Sequence, residues 1–165
     1  MQIRIRHRFE GATREQVEAL YLVDDDFNRE AFERIQYERS VVELRRDGDH
    51  LKRVLRVRAR GAVPAPLQAL VPAGGFHFDE HTEYDFARHR GTWKTVPGVL
   101  HERVRASGTF EIVDVEGGAE IRFDGETKAS LPLIGRAAER FALSTAEASH
   151  AALAAAARER LAKTS

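Results

Sequence analysis

Cysteine is absent from the 165-residue sequence, which excludes disulfides, thiol nucleophiles and cysteine metal sites. Long apolar runs are missing too, since no segment approaches the roughly 20 apolar residues that span a bilayer, and we expect no stable membrane insertion. Net charge is also lacking, because 26 basic residues are matched by 26 acidic ones. A chain without a global field has no general attraction for nucleic acid, so we expect no nucleic-acid partner.

The N-terminus alternates in polarity over residues 2–9, as a half-buried strand does, and lacks the apolar core of a signal peptide. We therefore expect a cytoplasmic protein. The length suits one domain with a full core, and we predict a single domain over residues 1–165, present as a monomer or weak homodimer. No nucleophile elbow, phosphate-binding glycine loop or zinc-protease motif is present, and we predict no cofactor.

Two helix-start signals follow the first strand. A capping box of the form T-x-x-Q begins at Thr13, and apolar residues follow it at helical spacing. Three aspartates at residues 24–26 interrupt this helix and can cap a second one, which carries an apolar stripe over residues 27–35. The aspartates resemble cation ligands as well, but we favour helix capping. The sequence thus predicts two short helices.

From residue 37 onward, polarity alternates with a period of two through segments joined by short turn signals, which predicts an antiparallel meander with one apolar face. In the first hairpin, over residues 37–59, Val42 and Leu44 alternate with charged neighbours. Its second strand has a basic outer face, which we interpret as a solvated surface because glutamates stand on the opposite strand. Gly108 and Gly125 lie mid-strand on inward faces, and a bent sheet accommodating a helix explains both.

Residues 62–72 are uncharged and contain three prolines, in a chain that is 32% charged. Proline cannot donate to a strand ladder, so we expect an apolar loop with a turn of helix near residues 66–70. Three roles stay open for this segment: a lid over a cavity, a contact surface for a partner, or a buried connector.

Residues 131–163 are predicted to form one long helix. A serine and a proline near its start suit a helix N-terminus, and alanine, the best helix former, is frequent. The inner face is apolar at its ends but small and mildly polar in its middle. We expect tight contact with the sheet near Ala138 and Ala142 and a cavity nearer residues 145–152.

The segment GETKASLPLIG at residues 125–135 carries the last strand into this helix, and RASGTF stands at residues 105–110. On these residues, and on the element order over essentially the whole chain, the sequence resembles the START-like, or Bet v 1-like (SRPBCC), superfamily, in particular its uncharacterised bacterial DUF2505 branch. The resemblance implies an α+β helix-grip fold: a curved antiparallel sheet of about seven strands, two short helices after the first strand, and a long C-terminal helix packed on the concave face. It also implies a cavity for a hydrophobic ligand, without naming a reaction.

Inward-facing side chains of the sheet and the helix would form the wall of such a cavity. Small-molecule sites are mostly apolar with a few placed polar groups. The predicted ligand contacts share that character; they are Leu55, Val57, Phe78, Tyr84, Trp93, Phe110, Phe123, Phe141, Thr145, Ser149 and Ala152.

Glu80 falls on the apolar face of its strand, where an isolated carboxylate is costly unless it is paired. It is the one weak candidate for a catalytic residue, as a pocket acid with a raised pKa. Alternatively, a bulge turns it outward, or Arg103 or Arg105 neutralises it. His77 and His81 share an outer face, but residues four apart on a strand lie about 13 Å apart, so we predict no metal site.

Three functions follow as alternatives. The first is binding of a small hydrophobic or amphipathic, lipid-like ligand in a cavity between the sheet and the C-terminal helix. The second is an enzyme of the cyclase or hydratase kind, which uses a pocket acid such as Glu80. The third is a ligand-free interaction domain that presents the loop at residues 62–72.

Overall fold

A computed structural model of the protein describes residues 1–59, 63 and 65–164. The strands in this part of the chain are β1 (Gln2–Glu10), β2 (Tyr37–Asp47), β3 (His50–Ala59), β4 (Phe76–Asp85), β5 (Arg90–Pro97), β6 (Val104–Val115) and β7 (Gly118–Ala129). The helices are α1 (Arg14–Glu18), α2 (Asp25–Arg34), α3 (Ala65–Gln68) and α4 (Gly135–Thr164), and one π-helical turn, Ala19–Val23, joins α1 to α2. Residues 62 and 64 of the predicted apolar loop lie outside the described residues.

All seven strands form one antiparallel sheet in the order β1-β7-β6-β5-β4-β3-β2, so β1 and β2 are its edges. Strands β2 to β7 each pair with the next strand along the chain, and short turns join β2 to β3, β4 to β5 and β6 to β7. The first strand pairs with the last, with Ile5 opposite Phe123. Because α4 packs against β1 and β7 on the concave side, the architecture is the α+β helix-grip fold that the resemblance implied.

Both predicted helix caps are present. The Thr13 hydroxyl accepts a hydrogen bond from the Gln16 backbone N–H at 3.2 Å, and the Gln16 side chain accepts from the Thr13 N–H at 2.8 Å. The Asp24 carboxylate accepts from the Phe27 N–H at 2.8 Å. The capping interpretation of the aspartates is therefore confirmed for Asp24.

The long helix begins later than predicted, at Gly135. Residues 131–134 form a turn in which Leu133 has a left-handed backbone (φ 65°) and is fully exposed. The Gly135 N–H donates to the Leu131 carbonyl at 2.9 Å. A Cβ atom at position 135 would lie 2.6 Å from the Ala129 carbonyl oxygen, so the helix starts where only glycine fits against the end of β7.

The tight contact between α4 and the sheet lies in the C-terminal half of the helix. The buried residues there are Leu153, Ala154, Ala156 and Ala157. Ala138 and Ala142, for which tight contact was predicted, instead line the cavity described below. Small side chains permit close approach but do not enforce it, and the sheet facing the N-terminal half carries large aromatic side chains.

Gly108 and Gly125 stand directly opposite each other on β6 and β7, and Trp93 of β5 is opposite Gly108 on its other side. A Cβ atom on Gly125 would lie 2.6 Å from the Trp93 ring. The space that the prediction assigned to the helix is therefore occupied by the indole of Trp93. The Trp93 ring lies over Gly125, where any side chain would collide with it.

Acidic neighbours neutralise part of the basic outer face of β3. The Arg56 guanidinium donates two hydrogen bonds to Asp79, at 2.8 and 2.9 Å, and these bonds hold the pKa of Asp79 below its usual value. Lys52 lies 3.1 Å from the Glu43 carboxylate. These pairs are consistent with a solvated sheet surface.

The edge strand β2 departs from regular alternation. Its register against β3 shifts between Val41 and Glu43. Val42 and Leu44 are 54% and 59% exposed. Because an edge strand has a neighbour on one side only, the bulge leaves these apolar residues in contact with solvent.

A buried carboxylate ties α1 to the sheet. Glu18 is 5% exposed and accepts a hydrogen bond from the Tyr84 hydroxyl at 2.7 Å. The Nδ1 atom of His89, in the turn between β4 and β5, lies 2.8 Å from the same Glu18 oxygen. Because its hydroxyl binds Glu18, Tyr84 connects β4 to α1.

Replacing Glu18 with alanine is expected to lower the free energy of unfolding by about 2 kcal/mol, because the buried Tyr84 hydroxyl loses its acceptor. Urea denaturation followed by circular dichroism measures the loss. Glu15→Ala on the same helix is the control, since Glu15 forms only a surface pair with Arg14 and such pairs contribute little. Equal losses in the two variants would contradict a structural role for Glu18.

Candidate ligand-binding cavity

A cavity of about 250 Å³ lies between the concave face of the sheet and α4. All seven strands contribute side chains to its wall, and α4 contributes residues between Ala138 and Leu153. The π turn and α2 cover one side through Tyr21, Leu22 and Phe32. The wall is mostly apolar, which is the character of a small-molecule site.

Seven of the predicted ligand contacts lie together on this wall: Phe78, Trp93, Phe110, Phe123, Phe141, Thr145 and Ser149. The sheet supplies the first four, and α4 supplies the last three. Thr145 and Ser149 show that the predicted middle section of α4 does border the cavity. Whether these side chains contact a ligand stays a prediction.

The other four predicted contacts, Leu55, Val57, Tyr84 and Ala152, are not part of the cavity wall. Leu55 and Val57 face inward, but they pack within the hydrophobic core and do not reach the cavity. The ring of Tyr84 stacks on Phe110 at 5.1 Å, and its hydroxyl binds Glu18. Side-chain alternation identifies the inward face of a strand, but packing decides which inward residues reach a cavity.

Arg53 is a cavity residue that the prediction missed. It occupies an inward position of β3, between Leu51 and Leu55, and is 8% exposed. An arginine at an apolar position of the strand pattern is the sequence feature that could have identified Arg53 as a cavity residue. Its long side chain places a positive charge beside an otherwise apolar wall.

The π turn explains how Arg53 is held. A π-helical turn bonds the Asp24 N–H to the Ala19 carbonyl at 2.7 Å, and the next two carbonyls, those of Leu20 and Tyr21, accept hydrogen bonds from side chains. Arg53 Nη1 donates to the Tyr21 carbonyl at 3.2 Å, and Asn28 donates to the Leu20 carbonyl at 2.8 Å. The guanidinium is thereby fixed, while its Nε atom has no partner among the described residues.

Glu80 lines the cavity, on the face of β4 that carries Phe78 and Thr82. Burial raises the pKa of Glu80, and the positive charges of Arg53 and Arg39 oppose this in part. No donor in the described part of the chain forms a hydrogen bond with its carboxylate. Glu80 is in regular register with both neighbouring strands, so no bulge turns it outward. Among the described residues, neither Arg103 nor Arg105 forms an ion pair with it.

A second buried arginine stands behind this region. Arg39 of β2 binds the Asp25 carboxylate at the start of α2, and this bond lowers the pKa of Asp25. Because Arg39 has its own counterion, Arg53 is the cation whose charge acts mainly on Glu80.

His150 of α4 is a further cavity residue that the prediction missed. Its ring lies 4.2 Å from the ring of Phe123. Burial lowers the pKa of His150 to about 4, and the nearby His7 contributes in the same direction. The imidazole is therefore neutral at pH 7 and acts there as part of a weakly polar wall.

The apolar segment after β3 covers one end of the cavity. Val63, Leu67, Leu70 and Val71 line it, and α3 supplies the helical turn expected there. Val99 and Leu100 from the loop after β5 meet the same end. Of the roles left open, this placement fits a lid, and that role stays a prediction.

Among the described residues, no group of three or more histidine, aspartate and glutamate side chains is arranged to hold a metal ion. None of the described helices has the length and apolar character needed to cross a membrane.

Sequence comparison matches a family model described as a protein of unknown function, DUF2505, to residues 4–161. No curated protein matches the sequence. The family resemblance noted from the segment at residues 125–135 is confirmed by this match.

Solved structures with the same fold cover nearly all of the chain. TTHA0849 from Thermus thermophilus has 17% identity and a TM-score of 0.67, with 100% of this chain and 99% of that chain covered. Norcoclaurine synthase from Thalictrum flavum, in complex with dopamine and hydroxybenzaldehyde, has 15% identity and a TM-score of 0.64, covering 100% and 89%. Protein Ms6760 from Mycobacterium smegmatis has 11% identity and a TM-score of 0.60, covering 99% and 92%. At these identities the likeness shows the fold.

Proposed function

The chain belongs to the DUF2505 family of proteins of unknown function, and we propose that it binds a small hydrophobic or amphipathic molecule in the cavity between the sheet and α4. The observation that carries this proposal is a cavity of about 250 Å³ with a mainly apolar wall and a few polar groups, among them Arg53 and Glu80. Norcoclaurine synthase, which shares the fold, holds two small organic molecules, and this supports the proposal by analogy.

The volume limits the size of the ligand. An engineered apolar cavity of about 150 Å³ binds benzene, and sites for drug-sized molecules start at about 300 Å³. The volume of about 250 Å³ lies between these cases. A compact molecule of one or two rings therefore fits better than a sterol or a long-chain lipid.

Trp93 provides a direct test, because it is the single tryptophan of the chain and lines the cavity. In titrations with butylbenzene, a fatty acid and a sterol, we expect a saturable change in Trp93 fluorescence with butylbenzene, the compact probe. Native mass spectrometry of protein purified from its own host should show a bound small molecule. Absence of both signals would refute the proposal.

Filling the cavity should abolish binding. Ala142→Phe places a ring in the cavity wall and is expected to weaken butylbenzene binding at least tenfold. Ala151→Phe makes the same change on an exposed position of the same helix and should leave the affinity unchanged. Equal affinities in the two variants, measured by calorimetry on folded protein, would place the binding site elsewhere.

Acid–base catalysis is a second candidate, favoured by one observation: Glu80 faces the cavity with a raised pKa, as a general acid or base requires. A molecule that co-purifies with the protein is the substrate to test. Incubation in D2O should transfer deuterium to carbon in that molecule with wild-type protein and not with Glu80→Gln. No exchange with the wild type would exclude this role.

A further inference from the structure

Four polar residues of the cavity wall lie close together around Glu80. Thr95 of β5 is directly opposite Glu80, and Arg53 of β3 is opposite Thr82, the next inward residue on β4. All four residues line the cavity. Directly opposed side chains have Cβ atoms about 5 Å apart, so the four groups form one polar patch on the mostly apolar cavity wall.

The hydrogen-bonding capacity of this patch is largely unused. In the part of the chain that the structure describes, neither the Glu80 carboxylate nor the two threonine hydroxyls has a hydrogen-bond partner. Arg53 and Glu80 do not form an ion pair there, because Arg53 is directed to the Tyr21 carbonyl. Buried polar groups are normally satisfied, so an unused patch facing a cavity indicates that a ligand or ordered water completes it.

The charges select among head groups. An ammonium group would be repelled by Arg53. A carboxylate would be attracted by Arg53 but repelled by the ionised form of Glu80. An uncharged hydroxyl avoids both repulsions, because it donates a hydrogen bond to Glu80 and accepts one from Thr95, which is directly opposite Glu80. A hydroxyl can also donate to Glu80 in either protonation state, since a carboxylate and a neutral carboxyl group both have an oxygen that accepts a hydrogen bond.

We propose that the cavity recognises an uncharged, hydroxyl-bearing ligand, whose hydroxyl donates to Glu80 while its apolar body lies against Trp93. This inference rests on the proposed function, since it names the head group of the molecule that the cavity binds. The position of Trp93 directly opposite Thr82 puts the aromatic surface next to the polar patch.

Isothermal titration calorimetry at pH 7 with four probes tests the head group while the apolar body stays constant: butylbenzene, 4-butylphenol, 4-butylbenzoate and 4-butylbenzylamine. The phenol is expected to bind at least tenfold more tightly than each of the other three. Glu80→Leu should remove the advantage of 4-butylphenol over butylbenzene without weakening butylbenzene.

A second pair of variants decides the matter if Glu80→Leu does not fold. Thr95→Val removes a hydroxyl from the patch, and Thr92→Val makes the same change on the exposed face of β5. Only Thr95→Val should weaken 4-butylphenol, by several-fold, with butylbenzene unaffected.

The outcomes separate this inference from the proposed function. Equal binding of butylbenzene and 4-butylphenol, or tightest binding of a charged probe, would overturn the hydroxyl assignment while the cavity remains a binding site. Failure of all four probes to bind the wild type would overturn both.

Discussion

Replacing Gly108 with alanine is expected to lower the free energy of unfolding by about 3 kcal/mol. An ideal Cβ atom at this position would lie 2.0 Å from the Asp124 carbonyl oxygen and 2.6 Å from the Gly125 Cα. Both are backbone atoms of the adjacent strand, so relief requires β6 and β7 to move apart and weakens their ladder. The substitution would be easier to accommodate if the neighbouring atoms belonged to a flexible side chain instead of the backbone.

Urea denaturation gives the stability of Gly108→Ala, and the fluorescence of Trp93 reports whether its ring has moved from its position over Gly125. Gly74→Ala is the matched control, because a Cβ atom there meets nothing within 4 Å and removing a glycine restricts the unfolded chain. The control should be neutral or slightly stabilising. If Gly108→Ala is as stable as the control, β6 and β7 do not approach each other as closely at this site as the structure shows.

Acidification from pH 7.5 to pH 4.5 is expected to lower stability through His150. The pKa of this histidine is about 4 in the folded protein, below its ordinary value of 6.5, so the unfolded state takes up the proton first. The contribution of a neutral His150 is complete above pH 6.5 and is lost as the pH falls towards 4, by up to about 3 kcal/mol. The lowered pKa of His7 acts in the same direction.

Other groups have to be separated from this effect. The raised pKa of Glu80 acts in the opposite direction, because protonation on acidification stabilises the folded state. Comparison of variants isolates His150: His150→Gln should flatten the stability curve between pH 6.5 and 4.5, and the exposed His101→Gln should retain the wild-type slope. Identical slopes for His150→Gln and the wild type would show that His150 is not the titrating group.

Local features of the fold were predictable from the sequence because they depend on neighbours along the chain. The capping box at Thr13, the Asp24 cap and the alternation of each strand are set within a few residues of one another. Short turns then pair β2 with β3, β4 with β5 and β6 with β7. The late start of α4 at Gly135 was missed, since it depends on contact with Ala129 at the end of β7.

The cavity was predictable as a location and only partly as a set of residues. Its aromatic wall, with Phe78, Phe110 and Phe123, followed from strand alternation. Tyr84 is not part of the wall, and its hydroxyl binds Glu18, which lies 66 residues away in sequence. Arg53 is held by the π turn, a feature that no short-range pattern indicated.

Three features were readable from the residues alone: the order of elements, the inward face of most strands, and a carboxylate at position 80 on an apolar face. The fold was needed to show that α4 stands away from the sheet along residues 138–149 and packs tightly at residues 153–157, and that Glu80 lies beside two threonines and Arg53 at the cavity. Periodicity fixes the direction of a side chain, whereas the space in front of it depends on residues that the fold brings there.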